Sequence, residues 1–205
     1  MTSAAQFLSQ GYAVQRQAIS QALAKFLTHQ FQLIRQVDTL GQGDDQVPTS
    51  YSIYGAIPFE TLLDDLAPQL RTLTGLELLP TYSYARIYDR GATLARHRDR
   101  PACENSVSLM LGYEGEAPWG LWLQDKHGRE VEIALEPGDA LVYRGCECDH
   151  WRTKFVSGIW QAQAFLHYVD ANGPYAEQKL DGRPHLGFKK PINRMLQRGQ
   201  LATME

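Results

Sequence analysis

The feature that most constrains this chain is the pair His97 and Asp99, separated by one residue, with a third candidate ligand, His150, well downstream. In an extended strand alternate side chains leave the same face, so His97 and Asp99 project together. One strand end can therefore supply two ligands to one metal, and His150 would complete a set of two imidazoles and one carboxylate. Such a set occupies one face of an ion and leaves three positions open.

The segments around the pair read as a β-rich domain. Residues 79–88 are rich in aromatic and β-branched side chains and read as a strand. Asp89-Arg90-Gly91 reads as a turn, and 93–97 returns as extended chain carrying the pair. Further strands are expected over 105–111, 119–124, 140–143 and 159–169. Gln124 to Gly128 forms a hairpin turn, and Leu135 to Asp139 a Pro-Gly-Asp turn. Before residue 79 the pattern is helical. Apolar residues from Ala18 to Ile34 predict one amphipathic helix over 12–37. A loop follows over 41–49, then a short strand at Tyr51–Tyr54. A second helix begins near Pro58, is interrupted by Pro68 and ends at Gly75. Trp119 and Trp122 face either a cleft or the core. From Ala171 on strand character fades. Lys189, Lys190, Arg194 and Arg198 make the tail mildly basic; it reads as a solvated tail, with an anion- or partner-binding role as the alternative.

The order strand, His-x-Asp, several short strands, Pro-Gly-Asp turn, strand, His, strand resembles the Fe(II)- and 2-oxoglutarate-dependent dioxygenases. The resemblance covers roughly residues 79–170. The string Tyr88-x-x-Gly91, five residues, His97-x-Asp99 is similar to the prolyl-4-hydroxylase-like group and to the nucleic-acid demethylases of that superfamily. It implies an α+β, mainly β fold: a double-stranded β-helix (jelly-roll, cupin-like) core about 79–170. Buttressing helices would lie at about 10–75 and a C-terminal extension at about 171–205, all in a single domain, 1–205. It implies Fe(II) on His97, Asp99 and His150, 2-oxoglutarate as co-substrate and ascorbate as a candidate reductant. The implied reaction hydroxylates an unactivated C–H bond and releases succinate and CO2. A carboxylate at position 99 argues against a halogenase, which needs that ligand position vacant.

The resemblance also gives Tyr88 the role of donating to 2-oxoglutarate. The far carboxylate of that co-substrate needs a buried cation, because an unpaired buried charge is costly. An arginine suits it through a two-pronged hydrogen bond. Many relatives carry Lys or Arg on the last core strand about ten residues after the distal histidine, but here that place is Trp160. Arg86, which should share a face with Tyr88, is the first candidate. Arg152 or Lys154 folding back, and Gln161 with uncharged donors, are the others.

Composition bounds the partners. A net charge of −3, with no basic stripe, speaks against strong nucleic-acid binding. No apolar run is long enough to span a membrane. The N-terminus lacks the basic start and apolar stretch of a secretory signal. Three cysteines without regular spacing do not make a disulfide framework, so a cytoplasmic setting is expected. Cys146, Cys148 and His150 alternate, which keeps a zinc site open as an alternative. His29, His127, His167 and His185 read as ordinary surface or core residues. The expected substrate is a protein side chain, peptide, amino acid or related small molecule. Arg96, Arg98 and Arg100 bracket the pair and could select an acidic one, or could simply pair with nearby carboxylates such as Glu104. The alternatives are a nucleic-acid demethylase and a metal-holding module without oxygenase activity. Oligomeric state stays open.

Overall fold

The computed structural model describes residues 3–38 and 44–188. Its centre is two antiparallel sheets. The larger has six strands in the order β1 (Tyr12–Gln15), β8 (Ala140–Arg144), β5 (Asn105–Gly115), β10 (Gly158–Asp170), β3 (Leu78–Asp89) and β2 (Tyr51–Tyr54). The smaller has four, in the order β4 (Leu94–His97), β9 (His150–Arg152), β6 (Leu121–Gln124) and β7 (Glu130–Ile133). From β3 onward the chain passes back and forth between the two sheets. That winding is the double-stranded β-helix expected, in an α+β, mainly β chain.

Alternation along the large sheet sorts its side chains into two layers. Ala85 and Ile87 of β3, Val107 and Leu109 of β5, Val142 of β8, and Ala164 and Leu166 of β10 face the helices. They pack there with Phe31, Phe59, Leu63 and Leu70. Each of those four is at most 1% exposed, worth about 1.5–3 kcal/mol of burial apiece. The opposite face of the same strands carries Tyr88, Met110, Leu141 and Tyr143, which close against Leu94, Leu121 and Leu123 of the small sheet. The functional residues lie on this inner face, between the sheets.

The helices are α1 (Ser3–Gln10), α2 (Gln21–Val37), α3 (Ile57–Asp65) and α4 (Ala67–Thr74). The single helix expected over 12–37 is two elements. Ser20 caps α2 by accepting from the Leu23 amide at 3.2 Å. Tyr12–Gln15 instead hydrogen-bonds along β8. The Pro-Gly-Asp turn fixes the join: Asp139 accepts from the Gln17 amide at 2.9 Å and from Arg16 at 2.6 Å. These are long-range partners that local periodicity does not reveal. Pro68 does split the second helical stretch into α3 and α4, and Gly75 ends it in the left-handed conformation (φ 71°). Among the described residues no helix is long and apolar enough to cross a membrane.

After β10 a 3-10 turn, Ala176–Gly182, leads back along the molecule. The buried pair Arg183–Glu60 (2.9 Å) ties this segment to α3. Glu60 also accepts from the Ser83 amide of β3 at 2.7 Å. The basic residues of the tail, from Lys189 on, lie outside the described residues.

Candidate metal centre and adjoining pocket

His97 ends β4 and His150 begins β9, and the two are direct antiparallel partners. Pairing sets their rings side by side, centroids 4.2 Å apart. Asp99 follows in the turn, where its amide donates to the Gly145 carbonyl at 2.9 Å. Its Oδ1 lies 3.5 Å from His150 Nε2 and 3.8 Å from His97 Nε2. Gly145 is required for this approach, because a Cβ there would collide with Asp99 Oδ2 and with the Cys103 carbonyl.

The imidazoles are oriented from behind. His97 Nδ1 lies 2.8 Å from the Ala95 carbonyl, and His150 Nδ1 lies 3.0 Å from that of Cys148. A carbonyl only accepts, so both Nδ1 atoms carry the proton. Both Nε2 atoms are left facing Asp99. Burial disfavours charge on Asp99, but His150 outweighs it and holds the carboxyl at about 2. Burial, and then neighbouring His150, push His97 below its ordinary value. The set is two imidazoles and one carboxylate, converging as a divalent cation requires.

Among the described residues two sets of three side chains bring ligand atoms within 4.8 Å of one another: His97, Asp99 and His150, and Asp99, Cys103 and His167. Cys146 and Cys148 do not gather with His150 as the zinc alternative needs. Cys148 points its thiol at the Gly11 carbonyl, and Cys146 at that of Arg100.

A cavity of about 390 Å³ opens from this centre between the sheets. Arg152 and Arg86 both line it, as does Tyr88. Arg152 is 3% exposed and donates to the Trp119 carbonyl and to Gln163 Oε1. Its guanidinium sits 4.8 Å from the Trp119 ring and 5.5 Å from that of Tyr88. No carboxylate among the described residues pairs with it, and its Nε has no partner at all. Burial pulls its pKa below the usual arginine value. Arg86 is buried too, but it is ion-paired with Asp44. That carboxylate also takes the Tyr84 hydroxyl at 2.6 Å and the Gln46 and Val47 amides at 3.1 and 2.9 Å. Arg86 therefore anchors the 44–50 loop to β3. Tyr88 is fully buried, edge-on to Trp119, and its hydroxyl accepts from Arg86 at 3.4 Å.

Two other candidates stand apart from the cavity. Gln161 does not line it; its amide is spent on the Trp119 backbone, accepting at 2.7 Å and donating at 3.0 Å. Gln163, two residues on, is the glutamine that meets Arg152. Lys154 is exposed. Trp119 faces the inner core, stacked on Phe155, while Trp122 stacks on Trp151.

Several lining residues were not singled out by the sequence reading. His167, taken as ordinary, is buried in the cavity wall with Tyr82, Tyr143 and Phe165. The signal was its place in Gln161, Gln163, Phe165, His167, one face of β10 that is polar in mid-sheet. Tyr143 packs edge-on against the His150 ring at 4.8 Å. Arg98 and Arg100 reach the cavity because β4 ends at His97. Arg96 instead lies over Trp151.

The two-sheet architecture is that of the Fe(II)- and 2-oxoglutarate-dependent oxygenases. A prolyl-4-hydroxylase from Pseudomonas putida is 15% identical, with a TM-score of 0.67 over 82% of this chain and 96% of that one. The α-ketoglutarate-dependent epimerase SnoN of nogalamycin biosynthesis is 12% identical, with a TM-score of 0.69 over 91% and 89%. HygX from Streptomyces hygroscopicus, solved with nickel and 2-oxoglutarate bound, is 11% identical, with a TM-score of 0.63 over 82% and 86%. At these identities the likeness is one of fold. No protein-family model and no curated protein matches the sequence.

Proposed function

We propose that this protein is an Fe(II)- and 2-oxoglutarate-dependent oxygenase. Its reaction, on this reading, hydroxylates an unactivated C–H bond of a peptide, protein side chain, amino acid or related small molecule. The observation that carries the reading is the pairing of a convergent His97–Asp99–His150 set with a buried guanidinium, Arg152, that has no counter-ion among the described residues. His150 and Arg152 are two residues apart on β9. Their side chains share a face about 6–7 Å apart along the strand, the reach of a five-carbon dicarboxylate.

Charge supports the same ligand. Arg86, Arg98 and Arg100 are matched by Asp44, Asp149 and Asp181. A divalent cation on Asp99 leaves one net positive charge, and Arg152 supplies a second. A dicarboxylate neutralises both. The uncompensated guanidinium would be expensive to keep buried if nothing anionic came to it.

Iron, the keto acid and dioxygen together would supply the oxidation, releasing succinate and CO2 as one oxygen atom enters the substrate. The protein's residues do the rest. His97, Asp99 and His150 would hold the metal on one face and leave the other open. Arg152, steadied by Gln163 and the Trp119 carbonyl, would take the far carboxylate in a charge-assisted hydrogen bond. Tyr88, held by Arg86 and Trp119, would donate to the co-substrate from the adjoining wall. Leu94, Leu121 and Phe165 would supply the apolar part of the cavity wall. We place the protein in the cytoplasm, acting without nucleic acid or membrane.

Aerobic incubation with Fe(II), ascorbate and 2-oxoglutarate tests the reading. Slow succinate formation is expected from the wild-type chain, and none from His97→Ala. Equal succinate from both would refute it.

A further inference from the structure

Resting on the reading of His97, Asp99 and His150 as a metal site, we propose that Ser106 and His167 form a positioning relay fixing which oxygen Asp99 offers to the metal. Ser106 on β5 and His167 on β10 are direct cross-strand partners, 0% and 6% exposed. Ser106 Oγ lies 2.8 Å from Asp99 Oδ2 and 2.9 Å from His167 Nδ1. The His167 ring is held against Tyr82, centroids 4.6 Å apart.

Proton counting orders these contacts. A serine hydroxyl has one proton to give and two lone pairs to receive with. An ionised carboxylate can only accept, and so can the Cys103 carbonyl, 3.2 Å from the same Oγ. The shorter contact to Asp99 takes the serine proton. His167 Nδ1 must then donate, so the ring is the neutral tautomer protonated at Nδ1. The chain runs from His167 Nδ1–H to Ser106 Oγ, and from Ser106 O–H to Asp99 Oδ2. Each link polarises the next in a buried setting.

The consequence falls on coordination. With Oδ2 engaged by Ser106 and backed by the Gly145 backbone, Oδ1 is the oxygen that faces both Nε2 atoms. Asp99 would bind through that oxygen alone. If Oδ2 swung round as well, it would take one of the three positions that the co-substrate and dioxygen need. Ser106 and His167 act here through Asp99.

The test is Co(II) titration of the full chain without 2-oxoglutarate, read by calorimetry and by the visible ligand-field bands. Ser106→Ala and His167→Phe should bind Co(II) roughly tenfold to a hundredfold more weakly, as loss of an outer hydrogen bond to a ligand does. Their bands should change in intensity as the carboxylate binding mode changes. Ser106→Thr keeps the hydroxyl. His167→Asn keeps an N–H where Nδ1 stood. Both should stay within about threefold of wild type, less than loss of an outer hydrogen bond costs. The His167 pair makes the test independent of whether Ser106→Ala folds. Wild-type affinity and an unchanged spectrum in Ser106→Ala and His167→Phe would overturn the relay while leaving the metal site intact. Failure of the wild-type chain to bind Co(II) would overturn the metal reading and the relay with it.

Discussion

Arg152→Met separates a cation kept for a ligand from one kept for the fold. The side chains have similar length, so the change removes charge and donors with little change in volume. In the ligand-free protein two opposing effects nearly cancel. Loss of the guanidinium relieves the cost of a buried, carboxylate-free charge, several kcal/mol in general. It also strands two acceptors, the Trp119 carbonyl and Gln163 Oε1, at about 1–3 kcal/mol each. The unfolding free energy should therefore move by no more than about 2 kcal/mol, in either direction. Binding has no such compensation. Losing one partner of a buried, hydrogen-bonded charge pair costs about 2–5 kcal/mol, or roughly 30- to 4,000-fold in affinity. The assay is calorimetric titration of the Mn(II)-loaded protein with 2-oxoglutarate, beside urea unfolding of the metal-free protein. An Arg152→Met protein that binds 2-oxoglutarate within about threefold of wild type, a change far below that range, would refute the assignment. So would a loss of stability as large as the loss of binding.

Arg86→Met should behave in the opposite way. It strands the Asp44 carboxylate and frees the 44–50 loop, so urea unfolding should show a loss of about 2 kcal/mol, moderated because Asp44 is partly exposed. Gly145→Ala should keep the fold but displace Asp99, and Mn(II) titration should show at least a roughly tenfold weaker site. Acid should weaken the metal-free protein through His167, whose buried ring is held down to about 4. The unfolded chain takes that proton below about pH 6.5. Stability is then complete above pH 6.5 and falls by about 3 kcal/mol as pH drops toward 4. Unfolding curves at pH 7.5 and 5 should show this slope in wild type and a flatter one in His167→Asn. Identical slopes would count against a buried neutral ring.

The sequence was most legible where one residue's chemistry acts locally. Pro68 cannot continue a helix, Gly75 accepts the left-handed cap, and the aromatic, β-branched run of 79–88 could only be strand. The His-x-Asp spacing was informative for the same reason, since two residues apart on a strand means one face. Legibility ended where partners are distant. Residues 12–15 form a strand only because the edge of β8 is there to bind them. Gln161 and Gln163 share a face, and their spacing does not say which meets the arginine. The Trp119 backbone claims the first, and the second is left for Arg152. The value of Arg152 itself lies in the absence of a carboxylate beside it, a property of the folded interior. His167 and Ser106 looked like ordinary strand residues because a buried polar group declares its role only through its partner.

The measurement that bears most directly on the account is anaerobic titration of the Fe(II)-loaded protein with 2-oxoglutarate, followed in the visible. A keto acid chelating iron through both oxygens gives a weak charge-transfer band. The wild-type chain should give a band that saturates, and His97→Ala and Asp99→Ala should lose it. Tight Fe(II) binding by the folded protein with no band at any 2-oxoglutarate concentration would contradict the oxygenase reading.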